Sequence, residues 1–74
     1  MAGVLHVVKA GADAGLAAAT IERQLQAGQE VRVAVLDGAP PPLPARAAVY
    51  RVPDEWSYDR LLEEIFAADQ VIAW

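Results

Sequence analysis

Apolar residues fall in four short segments separated by polar, breaker-rich stretches. VLHVV (Val4 to Val8) is rich in β-branched residues and is followed at once by KAGADAG. β-branching favours a pleated strand and the glycines end it, so a strand leaving its C-terminal end in a loop is predicted. Leu16, Thr20, Ile21, Gln24 and Leu25 then recur on one side at helical spacing, with Glu22, Arg23 and Gln26 elsewhere. Asp13 is placed to cap this helix of about 14 residues, and Gly28 to end it in a left-handed conformation. In EVRVAVLDG, Val31, Val33 and Val35 alternate with Arg32 and Ala34, the period of a strand that Asp37 and Gly38 break. Strand, helix and strand make a βαβ unit with parallel strands and a right-handed crossover.

APPPLPAR (Ala39 to Arg46) is predicted to be a stiff, extended connector, since consecutive prolines supply no N–H and resist helix. Ala47 to Val52 reads either as a short edge strand or as an extended return segment, ended by Pro53. A second helix starts at the cap Ser57 with Asp59 in its first turn. Its expected apolar face is Leu61, Leu62, Ile65 and Phe66, with Glu63 and Glu64 outside. Asp69 and Gln70 close it, and Val71 to Trp74 reads as a buried strand pairing beside the first. Trp74, the last residue, is expected to cover the end of the core or to cross into a neighbouring subunit. The order βαβ-(β)-αβ predicts a single α/β domain over residues 1–74, a small open and mainly parallel sheet of three to four strands with two helices.

Composition sharpens this picture. With 74 residues the chain is near the lower size limit for a core without staples, and it has no cysteine, so disulfides, thiolate ligands and a cysteine nucleophile are excluded. Small scaffolds of this kind gain stability by oligomerising. A net charge of −4 argues against a broad nucleic-acid or anionic-membrane footprint, and no direct nucleic-acid binding is expected. No run approaches the length of a membrane span and no leader is visible, so the expectation is a cytoplasmic protein that does not enter membranes.

Candidate chemistry is sparse. His6, the one histidine, shares a strand face with Val4 and Val8 and is either a satisfied or interfacial histidine or a functional one. No metal or cofactor is expected; one histidine without cysteine makes no typical zinc site unless several carboxylates or a second subunit contribute. The loop Lys9, Gly11, Asp13, Gly15 lies between a strand end and a helix start, where open α/β sheets bind nucleotides or other anions. Its spacing matches neither phosphate-binding glycine motif, and a capping Asp13 repels an anion. Asp37, Asp54, Glu55 and Asp59 are candidate paired acids, each also explained by a turn or a helix start. Tyr50, Trp56 and Tyr58, with Arg51 and Arg60, read equally as a partner patch or as a staple in which Trp56 packs back onto Leu61. Pro41 to Pro44 has the P-x-x-P form of a proline-recognition ligand, with a stiff connector as the plainer reading.

Taken in order, VLHVVKAGADAGL, VAVLDGA and YDRLLEEIFAADQVIAW resemble the small sulfur-relay proteins of the DsrE/DsrF/DsrH type, in particular the DsrH (TusB) branch. Short members of that branch are similar in the opening strand, in the DG after the second strand and in ending close to a tryptophan. The resemblance implies a compact, mainly parallel α/β fold, assembly into dimers, trimers or hexamers, and a part in sulfur transfer, as in tRNA thiolation or sulfur oxidation. Active members carry persulfide on a cysteine, which this chain lacks. What transfers is the role of a noncatalytic subunit, in a homo-oligomer or with cysteine-bearing relatives, with His6, Tyr50, Trp56, Tyr58 and Trp74 as candidate interface residues. The alternative expectation is a small nucleotide- or anion-binding module that uses the Lys9 to Gly15 loop.

Overall fold

The computed structural model describes residues 3–9, 11–38 and 41–74. Its elements are β1 (Val4–Val8), α1 (Ala14–Gln26), β2 (Val31–Leu36), β3 (Ala48–Val52), α2 (Tyr58–Ala67) and β4 (Gln70–Ala73). The four strands lie in the order β3-β2-β1-β4 and every pair is parallel. The fold is thus an α/β sheet with two helices. The segment that reads as strand or return is an edge strand, β3, and the final strand lies beside β1.

Local chemistry sets the helix ends. The Asp13 carboxylate accepts from Leu16 N–H at 3.0 Å, and Ser57 Oγ accepts from Arg60 N–H at 3.1 Å. Each satisfies a donor that the first helical turn cannot. At the end of α1, Gly28 takes a φ of 83°, which lets Gly28 N–H reach the Leu25 carbonyl and Gln29 N–H the Gln24 carbonyl, both at 3.0 Å. This paired closure of the last carbonyls favours glycine at its turning point.

Side-chain alternation divides the core into two layers of contact. Val8 on β1 and Val31, Val33 and Val35 on β2 gather under Ile21 of α1. Leu5 and Ala34, pointing the other way, gather with Val52, Trp56 and Leu61 of α2. The helices therefore cover opposite faces and the fold has three layers. Fully burying a Leu5 or an Ile21 contributes about 1.5 to 3 kcal/mol each. The connector shares the α1 face: Leu43 and Ala47 pack onto that layer, and Ala47 N–H closes a turn onto the Pro44 carbonyl at 3.1 Å. Its first residues, 39 and 40, lie outside the described residues, as does residue 10 of the loop after β1.

Three expectations need correction. On α2 the inward residues are Leu61, Glu64, Ile65 and Ala68, while Leu62 and Phe66 are exposed. The run of four apolar residues spans a wider arc than one sheet face can cover, and Arg32 beneath the helix draws Glu64 inward. On α1, Leu16 is exposed because the small Ala17, the next residue round the helix, is the one set against the sheet. The last strand is not buried: Val71 retains 40% of its surface, since α2 covers β1 to β3 and leaves β4 as an open edge.

The strand starts are tied together at Gly3. Val4 N–H reaches the Glu30 carbonyl at 2.8 Å and Asp69 N–H reaches the Gly3 carbonyl at 2.9 Å. A Cβ on Gly3 would stand 2.0 Å from the Glu30 carbonyl oxygen, so only glycine fits this approach without a backbone shift.

Candidate functional site

The carboxyl ends of the strands form the first place to look. The chain steps from β1 to β2 to β3 in one direction, and α2 then carries it back to the far side of β1 for β4. The reversal lies between β1 and β4, the position at which open α/β sheets usually bind ligands. Here Trp74 occupies it. Its backbone N–H donates to the Val7 carbonyl at 2.9 Å, extending the β1–β4 ladder, and its indole N–H donates to His6 Nδ1 at 2.9 Å.

His6 is completely buried and both its nitrogens are engaged. Because Nδ1 accepts from Trp74, the neutral ring carries its proton on Nε2, which donates to Gln24 Oε1 at 2.6 Å. The rings of His6 and Trp74 lie 6.1 Å apart and within 12° of parallel. Burial pushes the His6 pKa below its ordinary value, partly opposed by the Gln24 hydrogen bond. A ring held in this way has no free nitrogen for proton transfer or metal binding, so the geometry assigns His6 to the α1 layer of the core.

A cleft of about 240 Å³ opens at the carboxyl ends of β1 and β2, lined by Lys9, Gly11, Ala12, Asp37, Gly38 and Pro41 among others. Asp37 sits at φ 51°, a left-handed position that aspartate tolerates, and its N–H reaches the Val52 carbonyl at 3.3 Å. Of the predicted loop residues, Lys9 and Gly11 line this cleft. The Asp13 carboxylate is engaged as the helix cap and Gly15 lies within the first turn of α1. The cleft thus offers one ammonium and one carboxylate, with the neighbouring helix end already answered by its own side chain.

The other candidate acids are dispersed. Asp54 pairs with Arg51 at 2.6 Å, the Glu55 carboxylate accepts from Arg51 N–H at 3.0 Å, and Asp59 sits in the first turn of α2. Among the described residues no three His, Asp or Glu side chains converge as a metal ion would require. Sequence reading missed Glu64. It is buried, hydrogen-bonded by the Arg32 guanidinium and by Arg60 Nε at 2.8 Å, and these contacts, Arg60 first, hold its carboxyl below the usual range. Arg32 Nε lies buried without a partner among the described residues. An arginine alternating with valines in β2 was the available signal that something anionic must cross over that face.

The aromatic group separates into an inner and an outer part. Trp56 is buried among Leu5, Ala34, Val52 and Leu61, the staple arrangement, with Tyr50 stacked on it at 4.4 Å and the Arg60 guanidinium 5.5 Å from its ring centre. His6 and Trp56 are thus enclosed by their own chain, Tyr50 and Trp74 are half-buried, and Tyr58 is exposed. Tyr58 heads a line that sequence reading did not foresee: Tyr58, Leu62 and Phe66, four residues apart on α2, keep 57%, 53% and 81% of their surface. The segment Pro41 to Pro44 packs Leu43 against the core, which turns its apolar residue inward.

No helix among the described residues is long and apolar enough to cross a membrane. Comparison with known proteins returns no match to a protein family, to a curated protein or to a solved structure.

Proposed function

We propose that this chain is a noncatalytic docking subunit of a sulfur relay of the DsrH (TusB) type, working through protein–protein contact beside a cysteine-bearing relative that carries the persulfide. The observation that supports this most is the exposed apolar line on α2 next to the open edge of β4. Large apolar side chains set in a row, rather than scattered singly, mark interaction surfaces. The interior is consistent with a role that needs no chemistry of its own, since the chain has no cysteine and its single histidine is buried and doubly hydrogen-bonded. Its place in tRNA thiolation or in sulfur oxidation follows from the sequence resemblance.

The test is coexpression with a cysteine-bearing DsrE-type protein of the same genome, followed by size-exclusion chromatography with light scattering across a dilution series. A complex of fixed stoichiometry that survives dilution is expected. Separate elution of the two proteins at tens of micromolar would reject the reading.

A second reading rests on the cleft at Lys9, Gly11 and Asp37: a small nucleotide- or anion-binding module. It expects amide shifts over residues 11–16 on NMR titration with nucleotides or phosphate, and silence there at millimolar ligand removes it.

A further inference from the structure

We infer that the outer flank of α2, continued by Val71 of β4, is a docking surface for a partner helix whose apolar row is rimmed by lysine or arginine. This rests on the reading of the chain as a docking subunit and adds which surface is used and what chemistry must meet it.

The placement follows from the two flanks of α2. Arg60 reaches over Trp56, which stacks on Tyr50 of β3, so that flank of the helix looks towards β3. Tyr58, Leu62 and Phe66 lie on the opposite flank and so look towards β1 and β4. Val71 is in register with Leu5, whose side chain meets α2, so Val71 points to the same side of the sheet one strand further out. Its 40% exposure marks where the cover of α2 stops. Helix flank and strand together form an apolar step with no covering element among the described residues.

Charge decides the occupant. The line of Tyr58, Leu62 and Phe66 is bordered along α2 by Asp59 and Glu63, and Asp69 stands at the entry to β4; all three are exposed. The one basic residue of α2, Arg60, is on the other flank with its Nε 2.8 Å from Glu64. A second copy of the chain, itself carrying a net charge of −4, would bring the same carboxylates against these across the same apolar line. Like charges opposed at an interface suppress association, and opposite charges favour it. A helix with leucine or phenylalanine at i, i+4 and i+7 and with lysine or arginine beside them satisfies both the apolar line and its acidic border.

The test uses the whole protein and two synthetic helical peptides with the same apolar row, one flanked by lysine and arginine, the other by glutamate. The basic peptide is expected to shift amides of α2 and β4 in NMR titration and to bind more weakly as salt is raised. Phe66→Glu should weaken it by about thirtyfold or more, as for a central anchor. Glu63→Lys should weaken it about fivefold and improve binding of the glutamate-flanked peptide. Because Phe66 and Glu63 are exposed, unchanged melting temperatures would show that the variants fold. Absence of binding, equal binding of both peptides, or full binding by Phe66→Glu overturns the proposal. So does a dimer in light scattering that Phe66→Glu disperses, because the occupant is then a second copy. The coexpression experiment separates the two levels. If the cysteine-bearing relative coelutes equally with Phe66→Glu, the subunit reading stands and this surface falls. If only the basic peptide binds, the surface stands and the relay reading falls.

Discussion

Each face of the sheet holds polar groups within a very small core, and the two faces differ in how those groups are satisfied. Under α1 the cluster is neutral: His6 lies between Gln24 and Trp74, donor matched to acceptor on both sides of the ring. Under α2 the cluster is ionic: Glu64 is held by Arg32 from the sheet and by Arg60 from its own helix. The neutral cluster loses one hydrogen bond when Gln24 or Trp74 is removed and two when His6 is, and no charge is left unpaired in either case. An ionic cluster that loses its carboxylate leaves a guanidinium against the sheet with nothing to balance it, which makes the α2 layer the more fragile to a single change.

The largest effect is therefore expected from Glu64→Ala, which strands Arg32 and should lower stability by about 3 kcal/mol in chemical denaturation. The paired change Arg32→Met with Glu64→Leu should recover most of that, because replacing both partners by apolar groups removes the unpaired charge. A double variant as unstable as the single one would show that the cost comes from packing and not from charge.

On the α1 side, deleting Trp74 removes a half-buried indole and the donor to His6, with an expected loss of about 2 kcal/mol. An unchanged melting temperature after the deletion would mean that the indole contributes nothing to the fold.

Acid should resolve the two layers in sequence. The His6 pKa is lowered on folding, so as pH falls the unfolded chain takes up a proton before the folded one. Stability is full above about pH 6.5, the ordinary histidine value, and declines below it until the folded ring itself titrates. The Glu64 pKa is also lowered, but here the folded carboxylate is the favoured form. Its contribution is present above the ordinary value of 4.5 and is lost as pH falls through the lower folded one. His6→Phe should abolish the upper step and leave the lower; a single step unaffected by this change would mean that His6 does not titrate with folding.

The smallest effect belongs to the outer flank. Phe66→Ser should change stability by no more than about 0.5 kcal/mol, since the ring is almost wholly exposed. A large loss would place Phe66 in the fold rather than at a surface for partners.

Much of the scaffold was legible because its determinants are local. Asp13, Ser57 and Gly28 act on backbone groups within a few residues, and the alternation in β2 is a property of the strand itself. What was not legible is long-range. Whether Glu64 points in or out depends on Arg32, 32 positions away, and the role of His6 depends on Trp74, 68 positions on. The apolar run of α2 could also be read on either side of Leu61; only the edge of the sheet, a property of the assembled fold, decides that Leu62 and Phe66 remain outside. The candidate loop was found at Lys9 and Gly11, but Asp37 and Pro41 join it only because β1 and β2 end side by side.

The two tryptophans stand on opposite sides of the sheet, Trp74 against the imidazole of His6 and Trp56 against Tyr50. The chain therefore carries one optical probe in each layer, and their surroundings differ enough to be told apart: protonated imidazole quenches indole emission, and only Trp74 has an imidazole beside it. Fluorescence of the variants Trp56→Phe and Trp74→Phe would follow the two layers one at a time through the same unfolding transition, and would reveal directly whether a sheet of four strands melts as one body or sheds one helix first.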